Sequence, residues 1–146
     1  MKIGIVGHSS NRIDEELGLA LLETMISRLV ASKANTGDVE IVTGLTNIGI
    51  PKLAYQIADK HRYVKVGISA QQAHEVNCGV YPVDKEIIVG KKFGDESDAF
   101  IEYIDYLIRV GGGKQSAAEV KLFKEKCSIL DRDVNKHLFE QAFELL

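Results

Sequence analysis

Apolar and polar positions alternate along the chain in blocks of two kinds. Residues 2–6 are a short apolar run, stopped by Gly7 and the polar stretch His8-Ser9-Ser10-Asn11, which suits a buried strand. Asp14-Glu15-Glu16 then open a long helix, with carboxylates against the positive end of its dipole. Leu17, Leu21 and Met25, beside Leu22, Ile26, Leu29 and Val30, recur at helical spacing and predict one apolar face. Asn35 and Gly37 are expected to end it. The same alternation continues downstream. Strands are predicted over residues 39–43, 63–68, 86–89 and 105–110. Pro51 suits the first position of a helix that buries Leu53, Ala54, Ile57 and Ala58. A short helix is expected over residues 69–76, and further helices over 95–103 and 115–127. The 95–103 helix should turn Ala99, Phe100 and Tyr103 inward. A last helix, residues 131–145 with Asp131 as its cap, is predicted from the stripe Val134, Leu138, Phe139, Ala142, Phe143 and Leu146.

Strands alternating with helices imply crossover connections and a parallel sheet covered on both faces. The expected fold is therefore α/β, a three-layer Rossmann-like sandwich with a mostly parallel sheet of about five strands, built as a single domain over residues 1–146. In such sheets ligands bind beyond the carboxyl ends of the strands, which directs attention to the loops after strands one, two, four and five.

Composition narrows the classes. With 45% hydrophobic and 27% charged residues the chain is an ordinary globular one, and wholesale disorder is excluded. A net charge of -3 argues against a broad nucleic-acid-binding surface, and Lys121, Lys124 and Lys126 read as a solvated helix face. No apolar run approaches the roughly 20 residues of a membrane span, and the first residues turn polar too early for a signal peptide. Two cysteines, Cys78 and Cys127, make no disulfide framework, so the expected location is cytoplasmic. His74, Glu75 and Cys78 lack the further ligands a closed zinc site needs, and no metal is expected.

Thirteen glycines against two prolines matter through their positions. Three predicted strand-to-helix loops combine glycine with hydroxyl or amide side chains: Gly7-His8-Ser9-Ser10, the stretch from Thr43-Gly44 through Asn47 to Gly49-Ile50-Pro51, and Gly111-Gly112-Gly113-Lys114-Gln115-Ser116. Small residues let backbone N–H groups approach an anion, and the following helix adds its positive end. Candidate ligand contacts are Gly7, His8, Ser9, Thr43, Gly44, Asn47, Gly49, Gly111, Gly112, Gly113, Gln115 and Ser116. Glu119, one turn into the helix, is the candidate general acid or base, or a partner for a ribose hydroxyl. The first loop has no Gly-x-Gly-x-x-Gly, and Gly113-Lys114-Gln115 is not the Gly-Lys-Ser/Thr of a P-loop, so neither the usual dinucleotide site nor P-loop hydrolysis is supported.

Together these motifs resemble the Rossmann-like superfamily of the LONELY GUY phosphoribohydrolases, also known as lysine-decarboxylase-like proteins, with molybdenum-cofactor carrier proteins and the DNA-processing protein A domain as relatives. The superfamily's Pro-Gly-Gly-x-Gly-Thr-x-x-Glu motif is matched by Gly111-Gly112-Gly113-Lys114-Gln115-Ser116-Ala117-Ala118-Glu119, with Gly111 for the proline, Gln115 for the third glycine and Ser116 for the threonine. The hydrolases carry an arginine upstream of this motif's strand. Here that neighbourhood reads Gly94-Asp95-Glu96-Ser97, with Lys91, Lys92 and Arg109 as the nearest cations. The apolar strand that normally follows the motif helix is reduced to Ser128-Ile129-Leu130.

The resemblance implies a pocket for a nucleotide or related phosphate in a homodimer, with no cofactor required beyond a bound nucleotide. The leading expectation is a nucleotide-binding protein. A phosphoribohydrolase that cleaves the N-glycosidic bond of a nucleoside monophosphate, with Glu119 polarising the ribose, and a non-enzymatic interaction or carrier module are the alternatives, and whether the chain is an enzyme stays open at this point.

Overall fold

A computed structural model describes residues 1–33 and 37–146 of the chain. Six strands form a single sheet: β1 (Lys2–Gly7), β2 (Glu40–Thr43), β3 (Val64–Ser69), β4 (Lys85–Ile88), β5 (Tyr106–Val110) and β6 (Leu138–Gln141). All five pairings are parallel, in the order β4-β3-β2-β1-β5-β6. The first five strands fall within one residue of their predicted ends. Four of them follow from short apolar runs largely buried between the helices, whereas β4, at the edge of the sheet, is mostly exposed.

Four α-helices cover the sheet. On one face, α1 (Glu15–Ala31) and α2 (Gly49–His61) enclose a core that includes Ile3, Ile5, Leu22, Ile26, Leu53 and Ile108. On the other, α3 (Ser97–Tyr103) and α4 (Lys114–Ile129) pack Phe100, Val120 and Phe123 against Val6, Val42 and Leu107. The two-residue period of β1 therefore sends Ile3 and Ile5 one way and Val6 the other. Asp14 caps α1, its carboxylate accepting the Leu17 N–H at 3.0 Å. Leu17 itself is half-exposed, so the apolar stripe of this helix is narrower than its spacing predicts. The helix stops at Ala31, where the Ser32 N–H reaches the Arg28 carbonyl, well short of Gly37. The expected stop at Asn35 lies outside the described residues. Pro51 occupies the third position of α2 and not the first, a change without consequence because first-turn N–H groups have no intrahelical partner.

Two predicted helices take other forms. The 69–76 segment is a single 3-10 turn, Gln71–Glu75. The last helix, residues 131–145, does not exist. Asp131 has a left-handed backbone, Asp133 accepts the Asn135 N–H at 3.0 Å, one 3-10 turn follows over Val134–Lys136, and the chain enters β6. Without β6, β5 would be the edge of the sheet, its outer N–H and C=O groups unpaired. Leu138 packs toward the α3/α4 core, whereas Phe139 and Phe143 pack toward the α1/α2 core. Adjacent apolar residues serving opposite faces of a sheet mimic a helical stripe, which is why the period misleads here. Ala142 and Leu146, the remaining members of the stripe, are exposed. The strand after the motif helix, read from the sequence as missing, is thus present after all, at Leu138–Gln141 and not at Ser128-Ile129-Leu130.

Chain order steps outward from β1 to β4 on one side and resumes with β5 and β6 on the other. The reversal lies between β1 and β5. Their carboxyl ends diverge into loops there, the position at which open α/β sheets form a ligand crevice.

Candidate functional site

The crevice begins with backbone packed against backbone. Gly7 is paired in register with Val110, and a Cβ on it would stand 2.3 Å from the Val110 carbonyl oxygen. Gly49 lies under the first loop, where the Ile50 N–H donates to the His8 carbonyl at 2.8 Å, and a Cβ there would stand 2.2 Å from that oxygen. Gly111 and Gly112, both at positive φ, turn the chain from β5 toward α4. Gly112 approaches Ser116 and Gly7, while Gly113 has no atom of another residue beyond its neighbours within 4 Å of an added Cβ. Four glycines hold the loops to one another. Gly113 faces open space.

The loops surround a cavity of about 520 Å³. Of the candidate contacts, Gly7, His8, Ser9, Thr43, Gly44, Gly113, Gln115, Ser116 and Glu119 line it. Gly49, Gly111 and Gly112 stand behind the lining as framework. Asn47, in the loop between β2 and α2, is exposed and outside the cavity lining; its backbone N–H donates at 3.0 Å to the carbonyl of Gly79 in the connection before β4. His8 Nε2 lies 2.8 Å from the Phe143 carbonyl, which only accepts, so that nitrogen carries the hydrogen. The segment after β6 thereby fixes the orientation of the His8 ring.

One wall of the cavity is acidic. Glu96, at the start of α3, and Glu119, on α4, are 5% and 6% exposed, and neither is ion-paired with a cation among the described residues. Gly94 N–H and Gln115 Nε2 donate to the two oxygens of Glu96 at 3.0 and 2.9 Å, and Ser97 Oγ donates to Glu119 at 3.1 Å. Burial pushes the Glu119 carboxyl up to about 7, and the neighbouring Glu96 adds to the rise, against hydrogen bonds from Ser97 and Gln115. Glu119 therefore exchanges its proton near neutral pH.

The opposite feature is the start of α4. Its first turn has no side-chain cap, leaving the amides of Lys114, Gln115 and Ser116 available at the positive end of the helix dipole. Arg109 supports this turn from outside the lining. Its Nε donates to the Gly111 carbonyl at 3.0 Å and Ser116 Oγ at 3.1 Å, and its Nη1 lies 3.6 Å from Glu140 on β6. Arg109 positions the glycine loop.

No family model matches the sequence, and no curated protein matches it. Solved structures do. The molybdenum cofactor binding protein of the phototrophic bacterium Rippkaea orientalis aligns with a TM-score of 0.64 and 19% identity, over 97% of this chain and 89% of its own. The molybdenum cofactor carrier protein of Chlamydomonas reinhardtii aligns at 0.60 and 17%, over the same shares. The chain has the fold of the molybdenum-cofactor carrier proteins. A third structure, the structural-genomics target TM1055, aligns at 0.63 and 19%, over 86% of this chain and 69% of its own. The shared fold is the Rossmann-like one implied by the resemblance of the glycine motifs, in which the carrier proteins are relatives. It also corrects one expectation: that no cofactor is required does not stand beside two proteins of this fold named for a cofactor.

Several lining residues were absent from the candidate contacts, although Ser10, Thr46 and Lys114 lie within the loops already singled out. Ser10, Thr46, Ser69, Phe93, Glu96, Phe100 and Lys114 all line the cavity. Ser69 Oγ accepts the Leu45 N–H at 2.8 Å, so the end of β3 contributes where only strands one, two, four and five were expected to. Glu96 had a signal, since it occupies the neighbourhood in which the resembled hydrolases carry arginine. Away from the site, His74 lies 2.6 Å from Glu86, and among the described residues no group of three metal-ligating side chains forms. Lys126 is not solvated as expected, since its ammonium donates to carbonyls at the end of α3, Ile101 at 2.9 Å among them. No described helix is long and apolar enough to cross a membrane.

Proposed function

We propose that the chain binds a small phosphorylated heterocycle, a nucleotide or a phosphate-bearing cofactor, in the cavity at the carboxyl end of its sheet. The observation that carries this reading is the uncapped start of α4, opening with the unobstructed Gly113 onto a cavity shared with Gly7–Ser10 and Thr43–Thr46. The phosphate takes the amides of Lys114–Ser116, in a cavity that Ser9, Ser10 and Lys114 also line. The heterocycle takes the apolar lining of Ile68, Phe93 and Phe100. The names of the two carrier-type neighbours add a cofactor to the nucleotides as candidate cargo. The same reading takes the protein as a cytoplasmic homodimer.

A calorimetric titration with nucleoside mono- and diphosphates tests the proposal. Saturable binding by the parent, weakened at least about tenfold in Gly113→Asp, is expected, because the substitution places a carboxylate where the phosphate sits. No heat of binding across the panel removes the nucleotides as ligands.

Glu119 supports a second reading, N-glycosidic hydrolysis of a nucleoside monophosphate, because its carboxyl sits buried in the ligand cavity and is half-protonated near neutral pH. Release of free base by the parent and its loss in Glu119→Ala would establish the reaction. Binding without any base release would leave a carrier or sensor.

A further inference from the structure

His8 lines the cavity half-buried, and its ring is held along one edge. A Cβ on Gly111 would stand 2.5 and 2.6 Å from the Cδ2 and Nε2 atoms of the ring, so the ring takes the space that a side chain there would fill. Gly111 stands where the resembled motif has proline, and that departure makes room for the histidine. From the same edge, Nε2 donates to the Phe143 carbonyl at 2.8 Å. Phe143 is anchored in turn. Its side chain is buried in the α1/α2 core, and two residues earlier the Gln141 carbonyl accepts the Gly111 N–H at 2.9 Å.

Nδ1 is the ring atom opposite that edge. With the hydrogen on Nε2, Nδ1 of the neutral ring is bare and can only accept. It meets no donor among the described residues, whereas every fully buried side-chain nitrogen or oxygen among them has a partner. Nδ1 is therefore not sealed inside the protein, and it opens onto the cavity that the ring lines. A bare lone pair repels the oxygens of an ionised phosphate and calls for a donor. His8 follows Gly7, whose Cα lies 3.3 Å from where a Cβ on Gly112 would stand, so it adjoins the turn into α4 where the phosphate is placed above. The part of a phosphate ester next to its phosphate is the alcohol, and the remaining hydroxyls of a polyhydroxyl alcohol are donors.

We propose that His8 is a specificity residue for the alcohol part of the ligand: its Nδ1 accepts a hydrogen bond from a sugar or polyol hydroxyl, and the Phe143 carbonyl positions the ring to do so. This rests on the phosphorylated-ligand reading above and names what recognises the middle of that ligand. The segment after β6 thereby acts on the cavity without lining it.

The test is calorimetry on the full chain at pH 8 with adenosine 5′-monophosphate and its 2′-deoxy, 3′-deoxy and 2′,3′-dideoxy forms. The parent should bind the dideoxy compound about fivefold or more weakly than the ribose compound, and the single deoxy forms show which hydroxyl is read. In His8→Gln, checked for folding by thermal melt, the difference should shrink to within about twofold. Glutamine carries its amide nitrogen out to the place of Nε2 and so can keep the bond to Phe143, but it has no acceptor at the place of Nδ1. A purely structural role for His8 would leave the preference intact in this variant. Nitrogen–proton correlation spectra of the parent's His8 ring should show the hydrogen on Nε2, and the bare Nδ1 signal should move with the ribose compound and not with the dideoxy one. A hydrogen found on Nδ1, or equal affinity of the parent for the ribose and dideoxy compounds, overturns the proposal even if the variant does not fold. So does a ribose preference that survives in folded His8→Gln. Equal affinities that are still weakened by Gly113→Asp leave phosphate recognition standing, whereas no binding by any of the four overturns the proposal and removes these nucleotides as ligands.

Discussion

The two sides of the cavity are built on opposite principles. Along the seam between β1, α2 and β5, backbone touches backbone, and Gly7 and Gly49 are packed so closely that a methyl group on either would overlap a carbonyl oxygen. Along the α3/α4 wall, side chains gather two carboxyl groups into a buried space without a cation. The seam is stable because nothing larger fits, and the wall persists although it costs folding free energy. Stability is concentrated where the loops are positioned. Its sacrifice is concentrated where a ligand would be selected.

Substitutions on the two sides should therefore differ in sign. The largest loss is expected for Gly49→Ala, whose Cβ would stand 2.2 Å from the His8 carbonyl oxygen at a φ of +66°. Urea unfolding should show it destabilised by about 4 kcal/mol or more. Near-parent stability would mean that the first loop moves freely, and the contrast between the two sides would fail.

Glu119→Gln should go the other way. The folded-state carboxyl, raised from 4.5 to about 7, keeps a proton that the unfolded chain releases across that window. Parent stability thus falls as pH rises from about 4.5 to 7 and stays low above it. The glutamine variant should lack this fall, standing up to about 3 kcal/mol above the parent at pH 8 relative to their difference at pH 4. Parallel stability profiles for the two proteins from pH 4 to 8 would show that the wall carries no such cost.

Smaller effects sharpen the boundary between the sides. Arg109→Ala removes the bonds that support the glycine turn from outside and should cost about 1–2 kcal/mol in the same unfolding experiment. Its ligand affinity should fall as the turn loosens. Gly113→Ala, with open space around the added methyl, should change stability by no more than about 0.5 kcal/mol. A large loss at Gly113 would place it in the seam.

The first five strands, their alternation with helices and the carboxyl edge of the sheet were legible from the sequence because short apolar runs and their stops are local signals. The sixth strand was not. Leu138 and Phe139 serve opposite cores, and their spacing with Val134 and Phe143 copies that of a helix, so only the need to pair β5 decides the structure. The glycine loops were also legible, but a glycine string does not separate Gly113, which opens onto the cavity, from Gly111 and Gly112, which pack behind it. Glu96 was visible only as a departure from a motif. Its partnership with Gln115, and its place beside Glu119, come from α3 packing on α4, a tertiary fact that residue spacing does not encode.

The central claim is that the start of α4 and the first loop hold the anionic end of a ligand in this cavity. Amide proton–nitrogen correlation spectra, recorded while guanosine 5′-monophosphate is titrated into the full chain, test it residue by residue. The account predicts saturable shifts largest at Gly113, Lys114, Gln115 and Ser116, with a second group at Gly7, His8 and Ser9. Saturable shifts concentrated elsewhere, or none at these amides, would contradict it.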